Sequence, residues 1–442
     1  LTKQDNSKEV EKRTDKKNVV SNINQIPDSI LEDKELTTWI NQLPSNYNFE
    51  IRKSVHRIRL AKAKRVALQL PEGLTMFACA LSDIFEKFCN VEVIIMGDVT
   101  YGACCIDDDT AFALDADFMI HYAHSCLIPV SQCKLNVLYV FVDIKFDTLH
   151  FVDTIKHNVS SNAKVLFVGT IQFVNTLRSV LSSSSSSPSL HNYFKVVSIP
   201  QSHPLSPGEI LGCTSPQFSK DDSPYDTIIY VGDGRFHLES ILIHNPHMRA
   251  FRYDPYAKSF TKESYDHDLL LSNRLSSVKL AKTASHFGLI LGTLGKQGSR
   301  NILLNLIQKL QAASKTYTII LLSEIFPQKL DLLSKHIDAF IQIACPRLSI
   351  DWGHAFSRPL LTSYEAEVVL GNTSWKPIYP MDFYSNTGGS WSVRYDTPEA
   401  SSHIPKKKSP AARAEAKKQL KARIAALRAK KLLEKQQQQQ VS

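Results

Sequence analysis

Cysteines at metal-finger spacing are missing from this chain. Its eight cysteines stand at 79, 89, 104, 105, 126, 133, 213 and 345, with no CxxC pair and no regular interval. Nor is there a secretory signal, so a disulfide framework is not expected. No run of about 18 apolar residues occurs, which argues against a membrane-spanning helix. No Walker sequence, HExxH or Ser-His-Asp order supports hydrolase chemistry. The chain opens at Leu1 rather than Met, which leaves room for a preceding segment.

A charge excess is also missing from most of the chain, although the formal net charge is +9. Residues 401–442 hold twelve Lys and Arg against the two acids Glu415 and Glu434. Everything before them is therefore close to neutral, and the basic character belongs to an appendage. This tail, AARAEAKKQLKARIAALRAKKLLEK followed by glutamines, has high helix propensity and little apolar face. It reads first as a solvated, partly helical tail and second as an RNA contact. A serine run, Ser182–Ser187, reads as a solvated loop insertion.

What is present is an α/β pattern, stated three times. The 442 residues leave room for roughly three domains at ~150 residues each, and 43% apolar with 9% aromatic residues suits a globular protein of cytosolic type. After a polar leader (1–27) and helical segments (28–60), VALQLP (66–71) reads as a strand. Leu74, Phe77, Leu81, Ile84, Phe85 and Phe88 then share one helix face at spacings of three and four. VEVIIMGD (91–98), DFMIHYAH (117–124) and VLYVFV (137–142) follow as strands. A second set is VLFVGT (165–170), FKVVSI (194–199), DTIIYVGD (226–233) and MRAFRYDP (248–255). A third begins GLILGT (288–293), YTIILL (317–322) and DAFIQIAC (338–345). Strands alternating with helices imply parallel sheets. The third strand of each set opens on Asp: Asp117, Asp226 and Asp338. Three copies of one small unit explain these echoes.

Against this repeat the cysteines sort themselves. Cys104 and Cys213 each lie thirteen residues before the Asp that opens the third strand, in the loop after the second strand. The third unit has Ser323 near that place but carries Cys345 at the end of its third strand. All three project from the carboxyl edge of a parallel sheet, where open α/β sheets bind ligands. If those edges converge, three thiols meet. Zinc usually takes a fourth ligand at short spacing, and none is evident here. A 4Fe–4S cluster on three cysteines leaves one iron open to a substrate. Spacing alone leaves this reading level with the alternative that each is a small buried hydrophobe. Cys79, Cys89, Cys126 and Cys133 read as ordinary thiols.

Weaker candidates surround these. GTLGKQGSR (292–300) places Gly292, Gly295 and Gly298 at a strand-to-helix turn, with Leu303, Leu306, Ile307 and Leu310 on one face of the helix after it. Such a turn offers backbone N–H groups to an anion, with Lys296 or Arg300 adding charge. The spacing is not the dinucleotide G-x-G-x-x-G, and close packing is an equal reading. His121 and His124 read as structural histidines, and Asp107–Asp109 as helix-start residues.

LPEGL (70–74), GDVTYGACC (97–105), HSCL (124–127), LSPGEILGCTSP (205–216), GTLGKQGS (292–299), LLSEIFPQKL (321–330), CPRLSIDWG (345–353) and YPMDFYS (379–385) together resemble, in order, the diphthamide synthases. These are the 2-(3-amino-3-carboxypropyl)histidine synthases, and the match is to their eukaryotic catalytic-subunit pattern over residues 60–395. The resemblance implies three related small parallel-sheet, Rossmann-like domains around a central iron–sulfur site. It implies a 4Fe–4S cluster on Cys104, Cys213 and Cys345. S-adenosylmethionine would be the co-substrate, cleaved by an electron to a 3-amino-3-carboxypropyl radical. That radical would attack imidazole C2 of a histidine in translation elongation factor 2, the first step of diphthamide biosynthesis. Apart from the resemblance, the glycine turn, with Gly292, Gly295, Lys296 and Gly298, is expected to help hold the amino-acid part or ribose of that co-substrate. The implied partners are a related second subunit, a small iron-binding electron donor and the elongation factor, in the cytoplasm and without a membrane.

The expected organisation is a leader with helices (1–59), α/β domains at 60–150, 151–285 and 286–395, and a basic tail (396–442). Two rivals remain at this stage. One is a non-catalytic, cluster-supporting or scaffold subunit. The other is a cluster-free transferase using S-adenosylmethionine or a nucleotide.

Overall fold

Asp117, Asp226 and Asp338 do the same job three times. The backbone N–H of each donates to the carbonyl of Arg65, Lys164 or His286, at 3.0 Å in every case. Each carboxylate accepts in return from the start of its unit's first strand. Asp117 takes the N–H groups of Lys64 and Arg65, Asp226 that of Lys164, and Asp338 those of Ser285 and His286. An unpaired N–H at a strand start is thereby satisfied by one short side chain.

These contacts come from a computed structural model that describes residues 25–395 apart from 99, 183–188 and 191. The basic tail and all but Ser182 of the serine run lie outside the described residues. The strands are β1 Tyr47–Asn48, β2 Arg65–Gln69, β3 Glu92–Met96, β4 Phe118–Tyr122, β5 Asn136–Val140, β6 Asp143–Ile144, β7 Lys164–Gly169, β8 Val196–Ser198, β9 Thr227–Val231, β10 Arg249–Asp254, β11 Ser259–Glu263, β12 His286–Gly292, β13 Thr316–Leu322, β14 Ala339–Ile343 and β15 Leu360–Leu361.

Three sheets share one strand order. They run β3-β2-β4-β5, β8-β7-β9-β10-β11 and β13-β12-β14-β15. All pairings are parallel except β10 with β11. In each, the first strand lies between the second and third, the arrangement that right-handed helical crossovers generate. Central strands such as β4, β9 and β14 are buried along their whole length, which is why they read as predominantly apolar runs broken only by His121, Thr227 and Gln342. β11, with the polar sequence SFTKE, gives no such run because it is an antiparallel edge strand, and it was not anticipated.

The helix expected after β2 is divided. A 3₁₀ turn at Glu72–Phe77 follows Pro71 and hands over to a helix at Ala78–Cys89, which buries Leu81, Ile84 and Phe85. One hydrophobic cluster joins Ala67 and Met119 of the first sheet to Leu289 and Ile343 of the third, and Cys104 and Cys213 pack against it. The carboxyl ends of the sheets therefore face a common interior.

Candidate metal centre

Cys104 sits in a 3₁₀ turn, Ala103–Cys105, beyond β3. Cys213 lies in the loop beyond β8, and Cys345 directly beyond β14. Each is half-buried, and none is in a disulfide. The structure brings the three together. The Cys104 thiol is pushed well up by a hydrogen bond with Cys105, by burial, and by the charges of Cys345 and Cys213. Burial and then Cys345 push Cys213 up to about 12, and burial lifts Cys345 to about 11. Tyr384 stands among them, its hydroxyl held un-ionised by burial and then by all three sulfurs.

Each loop is tied to a neighbouring unit. Gly295 adopts φ +56, and a Cβ there would come within 2.4 Å of the Cys105 backbone, so only glycine permits this approach. The next N–H, of Lys296, donates to the Cys104 carbonyl at 2.8 Å. Gln297 Nε2 donates to Cys105 Sγ at 3.2 Å. Between the second and third units, Arg347 is buried and donates to the carbonyls of Gly212 and Phe236 while pairing with Glu239 and Asp351. Arg347 thus fastens the Cys213 loop to the helix that follows Cys345. The segment around Tyr384 is the third tie: Phe383 N–H donates to the Cys213 carbonyl and Tyr384 N–H to Thr214 Oγ1. Inside the units, Gln69 Nε2 donates to the Cys105 carbonyl and Gln342 Nε2 to that of Cys345.

Arg347, Tyr384, Gln69, Gln297 and Gln342 were missed from the sequence. Arg347 and Tyr384 lie inside the quoted stretches CPRLSIDWG and YPMDFYS, but no periodicity marks them. Lys296, expected near the co-substrate, extends its ammonium to Asp108 and Asp109, each at 2.9 Å. Gly292 and Gly298 are close-packed: a Cβ would meet Ala344 at 2.6 Å and the Gly292 carbonyl at 2.3 Å. Asp107 caps the helix Asp108–Ala113 through the Thr110 N–H, but Asp108 and Asp109 serve the first and third units as ion-pair partners. His121 is a structural histidine, with Nδ1 on Gln69 Oε1 at 2.8 Å. Cys79 and Cys126 are exposed rather than buried.

Among the described residues, no three His, Cys, Asp or Glu surround a single ion. Three thiols gathered from three units fit a polynuclear cluster instead, where each sulfur takes a different iron. Burial and then mutual repulsion keep these thiols protonated when they stand alone, and coordination to iron would remove that penalty.

Residues 70–380 match the family model for diphthamide synthesis proteins. The chain belongs to that family. It is 57% identical over 372 residues to 2-(3-amino-3-carboxypropyl)histidine synthase subunit 1 of Dictyostelium discoideum, covering 83% of this chain and 77% of the relative. With the subunit 1 protein of Homo sapiens it shares 52% identity over 375 residues, 84% of this chain and 83% of that protein. The fold resembles the crystal structure of Dph2 from Pyrococcus horikoshii with a 4Fe–4S cluster, with a TM-score of 0.61 and 24% identity over 76% of this chain and 93% of that one. As a member of the family, this chain has the α/β architecture expected from its three repeated units.

Proposed function

We propose that this protein transfers the 3-amino-3-carboxypropyl group of S-adenosylmethionine to imidazole C2 of a histidine in translation elongation factor 2, the first step of diphthamide biosynthesis. The mutual influence of Cys104, Cys213 and Cys345, one thiol from each unit, supports this reading, since the charges of Cys213 and Cys345 bear on Cys104. A 4Fe–4S cluster held by these three would supply the electron that breaks the bond from sulfur to Cγ, giving a carbon radical. The chain's own residues do the rest. Arg347, the glycine turn and the Tyr384 segment hold the three loops in register, and the shared interior keeps water from a reactive carbon centre. Gly292, Gly295, Lys296 and Gly298 contribute to donor binding at one remove, by fixing the Cys104 loop.

Membership of the subunit 1 group supports a related second subunit as partner, with a small iron-binding protein as electron source. RNA is the candidate partner of the basic tail, and the cytoplasm the compartment. The division at 60–150, 151–285 and 286–395 follows the three sheets and stands as part of the same proposal. The deciding experiment is anaerobic purification with the second subunit and reconstitution with iron and sulfide. Thiolate-to-iron absorbance and a paramagnetic signal on reduction are expected, and both vanish in Cys213→Ala. Absence of any cluster signal in the wild type would sink the reading.

A further inference from the structure

Each of the three gathered sulfurs meets a hydrogen-bond donor. The Tyr384 hydroxyl hydrogen-bonds to the Cys104 side chain. Thr214 Oγ1 donates to Cys213 Sγ at 3.7 Å. The Cys345 sulfur accepts from the Arg347 backbone N–H. Two of these donors are coupled. The Tyr384 N–H donates to Thr214 Oγ1 at 3.0 Å, which leaves the threonine proton directed at the sulfur. Tyr384 thus serves Cys104 directly and Cys213 through Thr214.

Backbone pairing fixes where both side chains stand. Thr214 is fully buried and Tyr384 is 3% exposed. The N–H groups of Leu211 and Thr214 each donate to the other's carbonyl, at 2.9 and 3.2 Å, closing a tight turn around Cys213. Met381 to Tyr384 run alongside that turn, with the Ser215 N–H on the Met381 carbonyl and the Phe383 N–H on that of Cys213. On their far side, the Phe383 carbonyl accepts from the Val393 N–H at 2.8 Å and the Ser392 hydroxyl at 3.1 Å. Tyr384 is therefore pinned to the second unit's loop while its hydroxyl reaches the first unit's thiol. Phenylalanine would fill the same space, and a phenol at this depth is costly unless its hydroxyl finds a partner.

Charge decides what these bonds do. Neutral thiol sulfur is a weak acceptor. A thiolate bound to iron has no proton of its own, so Tyr384 and Thr214 act on it as donors, and the bonds gain charge assistance. One-electron reduction of a cluster places further negative charge on its sulfurs. Donors aimed at them favour the reduced form and raise its potential.

We propose that Tyr384 and Thr214 are positioning residues that set the reduction potential of the iron–sulfur centre, by donating hydrogen bonds to the sulfurs of Cys104 and Cys213. The assignment rests on the proposed cluster. Its test is a redox titration of the anaerobically reconstituted complex with the second subunit, following the paramagnetic signal of the reduced centre, with iron content measured on the same samples. Tyr384→Phe and Thr214→Val each delete one donor. Each is expected to disfavour reduction by about tenfold, a midpoint about 59 mV more negative for one electron, with iron retained. Thr214→Ser keeps the hydroxyl and should keep the wild-type midpoint. If one variant loses its iron, the other is judged by the same criterion. Wild-type midpoints in variants that hold their iron overturn the inference and leave the proposed reaction standing. Loss of iron from both also overturns it, by marking the two residues as structural. A wild-type complex that takes up no cluster overturns the proposed function itself.

Discussion

Two adjacent cysteines in GACC meet different neighbours although their thiols are hydrogen-bonded to each other. Cys105 is 2% exposed and its sulfur accepts from Gln297, while Cys104 faces Cys213, Cys345 and Tyr384. The hydrogen bond from Cys104 lowers the Cys105 thiol while that of Cys104 is raised. Under the proposed assignment, Cys104→Ala abolishes cluster absorbance after reconstitution, whereas Cys105→Ala retains most of it. Iron and acid-labile sulfide analysis on both variants checks the contrast. At the strand starts, two backbone N–H groups hold the Asp338 carboxyl below the usual carboxylate range, and burial notwithstanding, hydrogen bonds do the same for Asp226. A carboxyl lowered in the folded state adds stability above its unfolded value of about 3.9, and that stability is lost as pH falls through the folded value. Melting curves of Asp338→Asn should accordingly show a shallower acid limb than wild type between about pH 5 and pH 3; superimposable limbs would remove this role.

At the scale of elements, the strands were legible and their ties were not. Every expected strand is present because each carries a short β-branched or apolar run, whether central and buried like β9 or at an edge like β13. The edge strand β11 escaped because its sequence SFTKE is polar and carries no apolar run. Gly295 shows the same divide. Three glycines in GTLGKQGS announce a turn, but nothing local says that it is pressed against Cys105. Gly295→Ala combines a left-handed backbone with a clash, and a loss of about 1–3 kcal/mol in chemical denaturation is expected, along with reduced cluster retention. Arg347→Lys is a sharper probe of positioning. It keeps one charge but not the fork that reaches Gly212, Phe236, Glu239 and Asp351 together, so stability should fall less than cluster retention. Equal losses in denaturation and iron content would mark Arg347 as a general structural residue.

Over the whole molecule, the third unit is braced by Arg274, whose Nε and Nη2 each reach Glu365 at 2.7 Å with both side chains buried. Arg274→Met strands that carboxylate, and about 3–5 kcal/mol should be lost in equilibrium unfolding. Glu365 also receives the Tyr379 hydroxyl, so the damage should spread toward the segment bearing Tyr384. The sequence by itself determined the three α/β units, the aspartates that open their third strands and the thirteen-residue offset that picks out Cys104 and Cys213. Those features depend on local periodicity and on spacing within a unit. Tertiary structure alone decided that the three carboxyl edges face one interior and that Arg347 and the glycine turn lock them there. It also decided that Tyr384 reaches both Cys104 and Thr214, because each of those contacts joins residues remote in the chain, where spacing carries no information.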